Sequence, residues 1–290
     1  MRFATALLLG GSLLACPRVL PAQQVSIETD PARPSRGSLI RLRVTPTTPD
    51  PVIAMEGEAG GEPLHFSRPD AITWVSLAGV PVEGDDSLPL TFVLEYDGRR
   101  DTVHTAIAVS RAEYPVERLT VAPTMAEPDS ASQARIAGEV ARARQVSRAA
   151  HQSPRLWSAP FTLPRSSRIT SGFGTGRQYN GKLLSRHLGT DFAGRVGAPV
   201  YAANAGRVAL IADFYLAGRV LYLDHGEGLI SAYFHLSKVL VRGGQMVTRG
   251  QLVGRVGQSG RVTGPHLHWV MRYGGVTVDP MSVIGLLGAP

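Results

Sequence analysis

The chain has 290 residues and a single cysteine, Cys16. Removal of a short N-terminal segment would leave none, so disulfides are excluded as supports of the fold even in an oxidising compartment. Lysine is almost as scarce. Lys182 and Lys238 are the only two, and arginine supplies the rest of the 30 basic residues. Past the first residues no apolar run approaches the roughly 20 residues that a membrane-spanning helix requires. No long helical pattern follows Phe161, which points away from a helical C-terminal half. The net charge of +7 carries two meanings, attraction to an anionic polymer or the arginine bias of a GC-rich genome. With no recognition motif beside it, nucleic-acid binding is excluded as a reading.

The chain opens with Arg2, an apolar run from Phe3 to Leu14, and Leu20-Pro21-Ala22. This is the pattern of a secretory signal covering residues 1–22, with cleavage after Ala22. Leu13-Leu14-Ala15-Cys16 also resembles a lipoprotein box, which would place a lipid anchor on Cys16, although Pro17 is unusual after that cysteine. The chain is therefore expected to be exported: periplasmic, attached to the cell envelope, or secreted.

Residues 23–112 alternate short apolar-polar runs with turn residues, as in 38–44, 71–77, 90–96 and 102–109, with Asp97-Gly98 as a hairpin signal. About seven such strands predict an immunoglobulin-like β-sandwich. Residues 113–160 read as a linker with an extended start and a helix from about Ser130 to His151, capped by Asp129 or Ser130. Its arginines suit a solvated helix face. From 161 to 285 strands and glycines dominate, predicting a second, antiparallel β domain with an open groove, and 286–290 reads as a tail. The fold class is all-β. Residues 25–110 hold no cluster of acids, bases or metal ligands, so a fragment starting near Ser158 is expected to suffice for the chemistry.

The chemistry is concentrated in His187-Leu188-Gly189-Thr190-Asp191, in His235 and in His266-Leu267-His268. Zinc takes imidazole nitrogen and carboxylate oxygen, and a catalytic site uses three protein ligands and keeps a fourth position open. His187, Asp191 and one histidine of the H-x-H supply such a set. Residues two apart on a strand share a face, so His266 and His268 can enter one cleft. The remaining two histidines suit proton transfer near neutral pH. The glycines around His187 argue for a turn entering a strand rather than a helix. His225, His65, His104 and His151 read as structural or surface residues.

These motifs, with Ser171-Gly172-Phe173-Gly174, Ala198-Pro199-Val200-Tyr201-Ala202, Gly250-Gln251-Leu252-Val253-Gly254 and Thr263-Gly264-Pro265, resemble the lysostaphin/LytM-type zinc endopeptidases of bacterial cell walls over the last two-fifths of the chain. The resemblance implies a Zn2+ cofactor held by His187, Asp191 and His268, with His235 and His266 as the catalytic pair. It implies peptide cross-links of peptidoglycan as the substrate, hydrolysed by metal-activated water. A monomer is expected. Two other readings stand beside it. One is a metal-free relative that activates or binds other wall hydrolases, which metal content would reveal. The other is a secreted bacteriolytic protease cutting Gly-Gly bonds. Tyr179, upstream of His187, is a candidate oxyanion donor, and the loop 174–186 is expected to shape the groove.

Overall fold

The structure is a computed structural model and describes residues 24–289. The signal-peptide reading of 1–22 and the lipid anchor on Cys16 lie outside the described residues.

Seven strands come first: β1 (Val25–Asp30), β2 (Leu39–Pro46), β3 (Ala54–Ala59), β4 (Glu62–Pro63), β5 (Trp74–Gly79), β6 (Ser87–Tyr96) and β7 (Arg99–Ala108). They form two sheets, ordered β1-β2-β5 and β4-β3-β6-β7. Alternation decides which side chains meet. Ile40, Leu42 and Val44 of β2 face Leu90, Phe92 and Leu94 of β6 across one core. The β6–β7 hairpin closes between Tyr96 and Arg99, where Gly98 takes the positive φ of 76° that such a turn requires.

The stretch expected to be a linker is built into the second β domain. β8 (Val116–Leu119) leads through the single turn α1 (Pro123–Ala126) to α2 (Ser130–Ala149). The Asp129 side chain caps α2 by accepting from the Ser132 amide at 2.8 Å. Ala143 and Ala150 pack on Leu210, Tyr222, Ile230 and Val270 of the next sheet. Arg142 and Arg144 face solvent, as expected.

Thirteen further strands succeed: β9 (Ile169–Ser171), β10 (Gly176–Tyr179), β11 (Lys182–Arg186), β12 (Thr190–Ala193), β13 (Pro199–Tyr201), β14 (Gly206–Phe214), β15 (Gly218–Gly226), β16 (Leu229–Phe234), β17 (Leu236–Val239), β18 (Met246–Val247), β19 (Leu252–Val256), β20 (His266–Tyr273) and β21 (Val276–Val278). The main sheet runs β18-β14-β15-β16-β20-β12-β9, with β21 on β20. Two small sheets flank it, β13-β19-β17 and β11-β10-β8. The pairing is antiparallel in the main sheet, but β8 runs parallel to β10. Ala202–Ala205 separate β13 from β14. An eight-residue helix, α3 (Pro280–Leu287), comes after β21, with Asp279 as its cap. The Phe161 amide donates to Leu287 O at 2.8 Å.

β20 sorts its side chains by alternation. Leu267, Trp269, Met271 and Tyr273 point into a core shared with Leu221, Leu223 and Tyr233. His266, His268 and Val270 take the opposite face, the one that α2 partly covers. Burying large side chains such as Trp269 and Tyr233 contributes roughly 1.5–3 kcal/mol each, and this holds β20 in register.

The first sandwich packs directly on this core: Leu39 and Leu77 belong to it, and the Leu39 amide donates to Ser282 Oγ at 2.9 Å. A fragment starting at Ser158 therefore loses β8, α2 and these contacts. It should unfold about 10 °C below a fragment starting at Glu113, as removal of a few kcal/mol of packing would produce. Equal melting temperatures and equal metal content of the two fragments would restore the linker reading of 113–160.

Candidate metal centre

β12 and β20 lie side by side with Asp191 opposite His268 and Ala193 opposite His266. His187 sits in the short connection between β11 and β12. Three donor atoms converge here. His187 Nε2 and Asp191 Oδ1 are 3.0 Å apart, His187 Nε2 and His268 Nδ1 2.8 Å, and His268 Nδ1 and Asp191 Oδ1 2.7 Å. All three residues are buried, and they form the one group of this kind found among the described residues. Ligands at about 2.0–2.1 Å from a tetrahedral zinc are ~3.3 Å apart, so small outward shifts of these side chains admit the ion. Two imidazoles and one carboxylate are also the donor types that zinc prefers.

Two of the three donors are aimed by neighbours outside the cluster. His187 Nδ1 faces Gly172 O at 2.7 Å and Ser171 Oγ at 3.1 Å, which directs Nε2 into the cluster. The Ser171 hydroxyl donates to Glu117 of β8 at 3.1 Å. Arg177 of β10 donates to Asp191 Oδ2 at 2.6 Å, leaving Oδ1 to the histidines. Such outer contacts fix ligand orientation and basicity. Gly189 is needed for space: a Cβ there would lie 2.6 Å from both His268 Cε1 and the Trp269 carbonyl.

Burial pushes the Asp191 carboxyl up, but hydrogen bonds from His187 and His268, and then their charges, outweigh it and hold it well below the usual carboxylate range. Burial lowers His268 to about 4 against the pull of Asp191. His268 is thus neutral at physiological pH, as a metal ligand must be.

The two remaining histidines stand beside the cluster, their ring centroids 4.9 Å apart. His235 Nδ1 is bonded to Ser259 O at 2.8 Å and His266 Nδ1 to Gly264 O at 2.9 Å. Each backbone carbonyl holds the proton on Nδ1 and leaves Nε2 as the acceptor. His266 Nε2 lies 3.6 Å from Asp191 Oδ1 and is buried with no hydrogen-bond partner. Burial, followed by the charges of His268 and His266, lowers His235 well below its ordinary value. β16 ends at Phe234, and His235, just beyond it, adopts a left-handed φ of 60°. Such a conformation costs on the order of 1 kcal/mol and recurs at functional positions.

The structure thus brings His187, Asp191, His235, His266 and His268 to one place. Sequence reasoning gave no role in the site to Arg177, Glu117 or Ser171, and used Gly189 only as an argument against a helix. Ser171 lay inside the Ser171-Gly172-Phe173-Gly174 motif; nothing local marks Arg177 or Glu117. Tyr179 is buried in the wall of the cleft next to Asp191, with the Arg261 guanidinium 4.1 Å from its ring centroid. The loop 174–186 forms the β10–β11 hairpin beside the site.

His225 stands apart from the cluster. Its Nδ1 meets Ala205 O and its Nε2 meets Ser231 Oγ, both at 2.7 Å, and its ring packs on Phe161. Burial lowers its pKa from 6.5 to about 4. The unfolded chain therefore takes up this proton first, so stability is complete above about pH 6.5 and declines toward pH 4, by on the order of 3 kcal/mol from this group alone. Urea midpoints of the protein and of His225→Asn, compared from pH 7 to 4.5, isolate the term; parallel pH dependences would contradict it. His65 and His151 pack together between the sandwich and the end of α2, their nearest nitrogens 2.8 Å apart, and His151 Nε2 lies 3.2 Å from Glu62. His104 is exposed on β7.

A β-sheet carrying a His-Asp-His donor cluster flanked by two histidines has the make-up of a metal-dependent active site. Residues 185–280 match the model of peptidase family M23, and this part of the chain belongs to that family, the lysostaphin/LytM type. The peptidoglycan DD-endopeptidase ShyA of Vibrio cholerae is 43% identical over 116 residues, covering 40% of this chain and 27% of that protein. The DD-carboxypeptidase/endopeptidase Mpg of Neisseria meningitidis is 35% identical over 117 residues, again 40% and 27%. The match thus spans about a quarter of the length of these curated relatives. A crystal structure from Pseudomonas aeruginosa assigned to peptidase M23 superposes with a TM-score of 0.65 at 28% identity, over 87% of this chain and 96% of that one. That likeness extends to the sandwich and α2 as well as the peptidase domain.

Proposed function

We propose that this protein is a zinc-dependent endopeptidase that hydrolyses D,D peptide cross-links of bacterial peptidoglycan after export across the inner membrane. The reading rests on one observation above all: three metal-type donor atoms within 3.0 Å of one another, beside two histidines whose acceptor nitrogens are set by backbone carbonyls. His187, Asp191 and His268 would hold the ion. When bound, zinc supplies Lewis acidity that polarises a carbonyl and lowers the pKa of water. His235, kept neutral by burial, is suited to accept a proton. His266, which lines the polar cleft, is placed to return one to a leaving amine on that side. The D,D specificity is taken from the relatives. Among the described residues no helix is long and apolar enough to cross a membrane. We place 23–112 as an accessory sandwich and 113–285 as the unit that builds the site.

Retention of all three donors weighs against a metal-free activator. The test is digestion of purified cross-linked muropeptides by the zinc-loaded protein with mass analysis. Conversion of dimers to monomers with gain of one water is expected. A protein that binds one zinc per chain but leaves dimers intact would defeat this reading, and cleavage confined to glycine bridges would favour the bacteriolytic alternative.

A further inference from the structure

The metal cluster separates two clefts of opposite character. On the His268 side is an apolar cleft of about 450 Å³, walled by Leu188, Phe234 and Val270 and by Ile136, Val140 and Ala143 of α2. On the side of Asp191 and His266 is a polar cleft, also about 450 Å³, whose walls include Arg168, Arg177 and Arg261. Three guanidinium groups there face two carboxylates, Glu117 and Asp191. Both carboxylates are engaged, Glu117 by the Ser171 hydroxyl and Asp191 by Arg177 and the histidines. A divalent cation in the cluster adds to the positive excess.

Two of the three arginines, Arg177 and Arg261, are partly withdrawn from water, and Arg168 is exposed at the rim. Arg177 Nε is buried with no hydrogen-bond partner among the described residues. Arg261 is half-buried against Tyr179; burial lowers its pKa, Tyr179 opposes this and the Arg177 charge adds to it. Gathering cations in a partly desolvated cleft is costly unless an anion shares it. A guanidinium fork matches a carboxylate in shape and charge.

We propose that Arg168, Arg177 and Arg261 form a carboxylate-binding subsite that selects cross-links carrying a free carboxylate on the carbon that bears the scissile nitrogen. The assignment of that carboxylate rests on the peptidase reading. In a D,D cross-link to a diamino acid, this carbon carries such a group, whereas the interior of a glycine bridge offers none. The apolar cleft then receives the alanyl side, and the metal cluster lies between the two. Arg177 serves doubly, with one terminal nitrogen on Asp191 and its charge lining the subsite.

The test uses two synthetic cross-linked peptides that differ only in a free carboxylate or a primary amide at that carbon. Their Kd values for the full chain stripped of metal are measured by calorimetry. The carboxylate form should bind about 10–100-fold more tightly, as for a charge-assisted pair. Arg261→Gln should reduce the ratio to below about threefold. Arg168→Gln, at an exposed position where folding is not at risk, should reduce it by about threefold. Equal Kd values in the unaltered protein, or a full preference retained by both variants, would overturn the subsite. Turnover of the same peptides by the zinc-loaded chain separates the two claims. Cleavage with no binding preference leaves the peptidase reading and removes the subsite; a binding preference with no cleavage does the reverse.

Discussion

Asp191→Ala is expected to lose both the metal and the activity. Asp191 is the residue on which the centre converges. Oδ1 meets His187 at 3.0 Å and His268 at 2.7 Å, and Oδ2 accepts from Arg177 at 2.6 Å. Its removal takes away one ligand and leaves Arg177, whose side chain is only 15% exposed, without its ion pair. An unpaired, largely buried cation next to the site opposes binding of a second cation by direct repulsion. Zinc affinity should fall by more than ~100-fold, beyond what loss of an outer-contact residue does, and turnover by more than ~10³, since oriented water and a polarised carbonyl disappear together. His187→Ala should behave similarly, though less severely, because Arg177 keeps its partner. Zinc per chain, measured after dialysis by atomic emission, decides the matter. Either variant holding one zinc at the affinity of the parent protein would remove that residue from the ligand set.

His235→Ala and His266→Ala should separate chemistry from metal binding. Both residues present Nε2 with Nδ1 tied to a backbone carbonyl, an arrangement that moves protons without needing the metal for its own stability. Each variant should keep zinc and lose turnover by ~10²–10⁴, the range for a positioned proton-transfer group. The variants should differ in fold stability. His235→Ala keeps a non-glycine residue at the strained φ of 60° and leaves Ser259 O without its donor, whereas His266 is nearer the surface. If either variant lost its zinc, that histidine would be a ligand and would exchange roles with His268.

Much of this centre is legible in the order of its residues. H-x-H places two imidazoles on one face because a strand repeats every two residues, and β20 obeys that rule through Tyr273. Two glycines near His187 argue against a helix, and the histidine does lie in the short connection between β11 and β12. The Asp129 cap and the alanine-rich run mark α2. Other elements leave weaker traces. β3 and β4 carry Ala-Met-Glu-Gly-Glu-Ala and Glu-Pro, with no β-branched residue; β3 forms because β6 offers it a paired edge, and β4 then pairs on β3. The short α3 has its signals, Asp279 followed by Pro280, but eight residues hold too little periodicity to stand out.

By itself the sequence marked the candidate donors, the class of the fold and the positions of most strands, because backbone preference and side-chain alternation act over a few residues. Only the tertiary structure decided what supports and surrounds those donors. Arg177 reaches Asp191 across 14 residues, and Glu117 reaches Ser171 across 54. The stretch expected to be a linker became part of the site when β8 joined β10 and α2 closed on the sheet. These contacts depend on sheet register and on which face the helix covers. Both are settled by packing the whole chain at once, where no local pattern records the outcome.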